Sequence, residues 1–131
     1  MRDIKLTLSQ DKKRRSPTVE DEAKWVNLEK EIFYPLQGRP GEAQSGCRVY
    51  FIRAGQLVAR ARAEEFRQLL AGVQLESYTG VPEEKGGWHV VCNSMEVLPK
   101  SRRLPHDPAF FQGFHYVRQD EKTAFERAFR K

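Results

Sequence analysis

Residues 47–63 read CRVYFIRAGQLVARARA. From Cys47 to Arg53 the stretch is rich in β-formers and alternates, with Val49 and Phe51 on one face and Tyr50 and Ile52 on the other. Ala54-Gly55 is a tight turn. From Gln56 to Ala63 a second strand carries Leu57, Ala59, Ala61 and Ala63 at its odd positions and Val58, Arg60 and Arg62 at its even ones. The pattern predicts a β-hairpin. The alanine row predicts a crowded face that a helix or sheet approaches closely. Arg60 and Arg62, two residues apart, point to one side.

Upstream of the hairpin, Asp3 to Leu8 alternates with Ile4, Leu6 and Leu8 on one face and reads as a short strand. Ser9 to Arg15 is a polar, mostly basic loop. Ser16-Pro17 reads as cap and first residue of a helix whose early turns hold Glu20, Asp21 and Glu22. Trp25, Leu28 and Ile32 recur at helical spacing, flanked by Val19, Ala23 and Val26, so the helix is expected over 17–33. Tyr34-Pro35 stops it, and 35–46 is a loop rich in Gly and Pro.

Downstream, 64–80 is ambiguous: Glu65 to Leu70 has the look of a short helix and Val73 to Tyr78 of a strand. Trp88 to Leu98 reads as one long strand, bulged near Asn93-Ser94. Asp107-Pro108 repeats the cap-and-proline start of a helical turn. Phe114 to Arg118 is a short strand, and Asp120 caps a last helix with Phe125 and Phe129 on one face. Mixed strands and helices in 131 residues predict one α+β domain over 1–131, a small curled barrel of five or six strands with two or three flanking helices.

Composition narrows the function classes. No apolar run approaches the ~20 residues of a membrane span, and the first ten residues hold no continuous apolar core of a secretory signal. Two cysteines, Cys47 and Cys92, are too few for a disulfide scaffold and fall among apolar strand residues, where inert buried thiols are expected. The reading is a cytoplasmic protein with no membrane partner. Neither phosphate-binding glycine fingerprint is present, and there is no HExxH and no CxxC. His89, His106 and His115 are scattered. No metal and no cofactor is implied, and no catalytic group is assigned.

The net charge is +5, spread over both halves of the chain. Three clusters supply cations near predicted strand ends: Lys12, Lys13, Arg14 and Arg15; Arg60 and Arg62; and Lys100, Arg102 and Arg103. Phosphates are held by cations that converge on one groove, and arginine adds a planar fork. Aromatic rings are the second ingredient, since unpaired bases stack on them. Phe51, Phe111, Phe125 and Trp25 are assigned to the core. Trp88, which follows Lys85-Gly86-Gly87 at a strand start, fits a pocket mouth.

The segment GCRVYFIRAGQLVARARAEEF, residues 46–66, resembles the central hairpin of the PUA-like superfamily, in particular its ASCH and EVE branches. Gly46-Cys47-Arg48-Val49-Tyr50-Phe51 occupies the place of a Gly-Asp-x-Val-x-Phe strand, and Leu57-Val58-Ala59-Arg60-Ala61 that of a Val-x-Gly-x-Ala strand. Cys47 stands where the family has Asp, and Ala59 where it has Gly. Residues 87–104, GWHVVCNSMEVLPKSRRL, resemble the later EVE strand that opens on Trp and ends in a Leu-Pro turn, and Phe114-His115-Tyr116-Val117 the strand after it.

The resemblance implies a PUA-type barrel that binds RNA or single-stranded or modified-base DNA, in a basic cleft between the first strand with its loop and the hairpin. On that reading Ser9 and Gln10 read a base edge, Tyr50 or Trp88 stacks on it, and Lys12, Arg14, Arg60, Arg62, Lys100, Arg102 and Arg103 hold phosphates. Two alternatives stand beside it. Some ASCH proteins are small amidohydrolases acting on acylated cytidines through a Lys, a Thr and a Glu, for which Lys13, Thr18 and Glu64 are the candidates here. A protein-interaction domain forming a homodimer, with contacts through 35–46 and 64–80, is the other. Oligomeric state is left open by the sequence.

Overall fold

The computed structural model describes residues 1–8, 18–29, 31–69 and 87–130. The chain runs β1 (Ile4–Thr7), α1 (Val19–Glu29), β2 (Ile32–Pro35), β3 (Arg48–Arg53), β4 (Gln56–Leu69), β5 (Gly87–Cys92), β6 (Glu96–Val97), a 3-10 turn (Lys100–Arg102), β7 (Leu104–Pro105), β8 (Phe114–Tyr116) and α2 (Gln119–Ala128). The architecture is α+β. A mixed, curled sheet of order β2-β5-β4-β3-β1-β8 forms a half-barrel, and the short β6 and β7 also pair with β4.

The strand count is eight rather than five or six, for local reasons. Ile32 and Phe33, expected as the end of a helix, and the Tyr34-Pro35 expected to stop it form one strand, paired with residues of β5 that include Val90 and Val91. The helix stops earlier, at Glu29, where a run of β-favouring Ile, Phe and Tyr begins. Leu28, placed on the apolar stripe by its spacing, is 78 % exposed, because Trp25 and Val26 set the buried face. Glu65–Leu69 is not a helix but the far half of β4, which pairs with β5. The expected strand 88–98 breaks at Asn93 into β5 and β6. Asp107-Pro108 begins bends and no helix. The last helix is capped at Arg118, whose N–H donates to Glu121 at 2.9 Å, and not at Asp120. The expected strand 73–78 lies outside the described residues.

The hairpin forms as its sequence dictates. Ala54 and Gly55 both take positive φ (53° and 75°), the twist a two-residue turn needs. Pairing starts as Arg53↔Gln56 and Ile52↔Leu57, then slips to Phe51↔Ala59. Val58 is therefore the extra residue of a β-bulge. Beyond it Tyr50 faces Arg60 and Arg48 faces Arg62. Without the extra residue, alternation would turn Arg60 and Arg62 toward the core side occupied by Phe51.

Two cores result, one on each side of the sheet. Inside the half-barrel, Ile4, Leu6, Val49, Phe51 and the row Ala59, Ala61 and Ala63 share a cluster with Trp25 and Val26 of α1. Ala59, Ala61 and Ala63 are buried in this cluster, while the backbone of α1 packs against β6 rather than on the alanine row. Glu22 of α1 is buried in this region and accepts a 2.6 Å bond from the Tyr34 hydroxyl. Outside, Tyr50, Ile52, Leu57 and Leu98 pack under Phe125 of α2 and Phe129 at its C-terminal cap.

Lys5 fastens the outer layer. It lies on β1 between Ile4 and Leu6, so it points away from the barrel interior. Its Nζ donates to Glu121 at 2.7 Å and to Nε2 of His106 at 2.8 Å. Nδ1–H of His106 donates in turn to the Pro108 carbonyl at 2.9 Å, which leaves Nε2 as the acceptor. Burial alone would raise the Glu121 carboxyl, but the Arg118 N–H and Lys5 hold it below the ordinary range. His115, the cross-strand partner of Lys5, stacks on Phe111 at 4.1 Å.

Candidate nucleic-acid interface

The sequence-predicted cations divide into groups. Arg60 and Arg62 lie on the outer face of β4, and register brings Arg48 of β3 directly opposite Arg62. Among the described residues Arg48 and Arg62 have no carboxylate within ion-pair distance. Arg62 donates to the Gly46 carbonyl at 3.0 Å. Partial burial, then the charges of Arg60 and Arg62, pull the Arg48 guanidinium below its ordinary value. Arg60 is held by Glu96 at 2.9 Å and lies over the Phe129 ring at 4.5 Å.

Arg102 joins this group at one end. It lines a pocket of about 360 Å³ with Glu96, Leu98 and Phe129 and donates to the Arg127 carbonyl in the last turn of α2 at 3.2 Å. Lys100 sits exposed at the start of the same 3-10 turn. Arg103 turns the other way, to Glu20 of α1 at 2.8 Å and the Leu98 carbonyl. Ser9, Gln10, Lys12, Lys13 and Arg14 lie outside the described residues.

Of the proposed stacking rings, Tyr50 offers no face to a ligand. It is fully buried between Phe125 and Phe129, at ring distances of 5.1 and 6.0 Å, because the outer side of β3 is covered by α2. Burial, then the Asp3 charge, push its hydroxyl above the ordinary value against the opposing pull of Arg60. Trp88 does line a groove. About 470 Å³ opens between Trp88, Phe66, Arg39, Pro40, Gln44 and Ser45, with Arg39 lying over the indole at 5.2 Å.

A separate cleft of about 220 Å³ lies beside the end of β1, where the half-barrel stays open between β2 and the segment leading into β8. Leu6, Thr7, Tyr34, Gln37, Phe110 and Gln112 are among its lining residues. This is the side on which the basic cleft was expected, but its described lining carries no cation.

Of the hydrolase candidates, Lys13 lies outside the described residues, and Thr18 and Glu64 have separate partners. The Thr18 hydroxyl accepts from the Asp21 N–H at 3.1 Å and donates to the Asp21 carboxylate, the work of a helix cap. Glu64 accepts from Asn93 at 2.7 Å, near Met95, which is bonded to Asn27 at the far end of α1. Nine residues of helix rise, about 14 Å, separate Thr18 from Asn27. Among the described residues no cluster of His, Cys, Asp or Glu fits a metal ion. No described helix is long and apolar enough to cross a membrane.

Arg39 and Arg48 are the residues of the candidate interface that sequence reasoning missed. The signal for Arg48 was the hairpin register, obscured by the bulge. Arg39 is placed by a loop whose path no local pattern announces.

Comparison with protein-family models, curated proteins and solved structures gives no match.

Proposed function

We propose that this protein is a nucleic-acid-binding module of PUA-like architecture that grips the sugar-phosphate backbone through Arg48 and Arg62, with Arg102 at the end of the row and Arg60, held by Glu96, adding its charge beneath them. The carrying observation is the Arg48–Arg62 pair: two arginines are register partners on adjacent strands, and among the described residues neither has a carboxylate within ion-pair distance. Like charges directly opposite each other cost stability. A phosphate between them removes the repulsion and gains charge-assisted hydrogen bonds. The resemblance of residues 46–66 and 87–104 to ASCH and EVE domains and the curled half-barrel support the same reading.

The test is the salt dependence of binding to a fluorescein-labelled oligonucleotide, followed by anisotropy between 50 and 200 mM salt. Arg48→Ala with Arg62→Ala lowers the slope of log K against log salt by about 2, one for each lost phosphate contact. Arg103→Ala, whose partner is Glu20, leaves the slope in place. Absence of binding at low salt, or a slope the double substitution does not move, rules the reading out.

A further inference from the structure

From the Trp88 groove we infer that the module selects single strands over duplex, seating one unpaired base on the indole in exchange for Arg39. The inference rests on the backbone-binding reading above and adds to it the form of the ligand.

Trp88 is half-buried and held from behind: its carbonyl accepts from the Leu36 N–H at 2.9 Å, and β5 pairs on both sides. Its exposed face is covered by the Arg39 guanidinium at 5.2 Å, a separation with no room for another ring between them. A base therefore takes the place of Arg39 on the indole. The displaced guanidinium then reaches the phosphate of the same nucleotide, so a cation–π contact is exchanged for a stacked ring and an ion pair. Gln44 and Ser45 on the wall offer hydrogen-bonding groups, and Glu65 on the rim is neutralised by Arg67.

Phe66 and Trp88 pack against the inner core, so the groove opens on the other side of the sheet from Arg60 and Phe129. Arg62 binds the carbonyl of Gly46, the residue that follows Gln44 and Ser45 in the chain. In a duplex the base faces are stacked on one another and cannot reach the indole.

The experiment compares a single-stranded oligonucleotide with a duplex of equal length, by anisotropy and by tryptophan emission. The single strand is expected to bind more tightly and to quench emission, and the duplex to leave emission unchanged. Trp88→Leu weakens single-strand binding by about 5- to 100-fold and leaves duplex binding alone. Trp88→Phe keeps a stacking face and recovers most of the loss, a pattern that misfolding would not give. Equal binding of both forms, still dependent on Arg48 and Arg62, overturns the single-strand inference and leaves the backbone reading intact. Binding of neither form overturns both.

Discussion

Lys5→Met removes a cation that joins β1, His106 and α2. Lys5 keeps 5 % of its side-chain surface and Glu121 11 %, so the pair is nearly dry. Losing one member of a buried pair costs about 3–5 kcal/mol, because the other charge stays behind. Glu121 retains the Arg118 N–H and sits in the first turn of α2, where the helix dipole favours a carboxylate. These place the loss at the low end, about 3 kcal/mol. With a urea slope of about 1.5–2 kcal/mol per molar, the unfolding midpoint falls by about 1.5–2 M. Lys5→Met combined with Glu121→Gln removes the stranded charge and recovers more than half of the loss. Urea titration followed by circular dichroism measures all three proteins. A shift below about 0.5 kcal/mol for Lys5→Met, or no recovery in the double variant, refutes the argument that this ion pair fastens the outer layer.

The same corner makes stability fall with acid in two steps. Burial, then Lys5 and His106, hold the His115 ring below its ordinary 6.5, and Glu121 lies below 4.5, so in both windows the unfolded chain binds the extra proton. Urea midpoints therefore drop first as pH falls through about 6.5 and again below about 4.5. His115→Gln flattens the first step and Glu121→Gln the second; a midpoint constant from pH 7.5 to 5.5 contradicts the assignment. Gly113→Ala destabilises by about 1–3 kcal/mol in thermal melts, since φ is +67° and a β-carbon would lie 2.6 Å from the Leu36 carbonyl oxygen. Gly38→Ala, with nothing within 4 Å, serves as the neutral control. Both thiols resist an aromatic disulfide reagent at pH 8 in the native protein and react once guanidinium unfolds it. Burial, then Asp3, raise Cys47 to about 11, and burial, then Cys47, push Cys92 higher still.

The hairpin, the N-terminal strand and the last helix were legible because each carries its own signal: period-two alternation, a turn dipeptide, or Phe125 and Phe129 four apart. β2 was not, because Ile32 continues the helical spacing of Trp25 and Leu28, and only its pairing with β5 makes it a strand. The far half of β4 was hidden by Glu64, Glu65 and Arg67, which mimic a polar helix face. In the folded chain Glu65 and Arg67 alternate with Phe66 along an extended strand. The candidate interface was half legible. Arg60 and Arg62 declare a shared side by their spacing, and Trp88 a pocket mouth by the glycines before it. The burial of Tyr50 depends on α2, some 70 residues on, and the Lys5 corner joins residues 5, 106 and 121. Contacts of that range leave no local trace.

The bulge at Val58 has an evolutionary side. The amino-acid letters of the hairpin do not by themselves say which surface is basic; the number of residues between the turn and Arg60 does. An in-frame loss of one codon there would bring the guanidiniums against Trp25 and Phe51 and present alanines to the solvent. Point changes can tune this surface gradually, whereas insertions and deletions in Leu57–Ala59 are all-or-nothing events. Across descendants of this gene, that short stretch should hold its length more strictly than its letters.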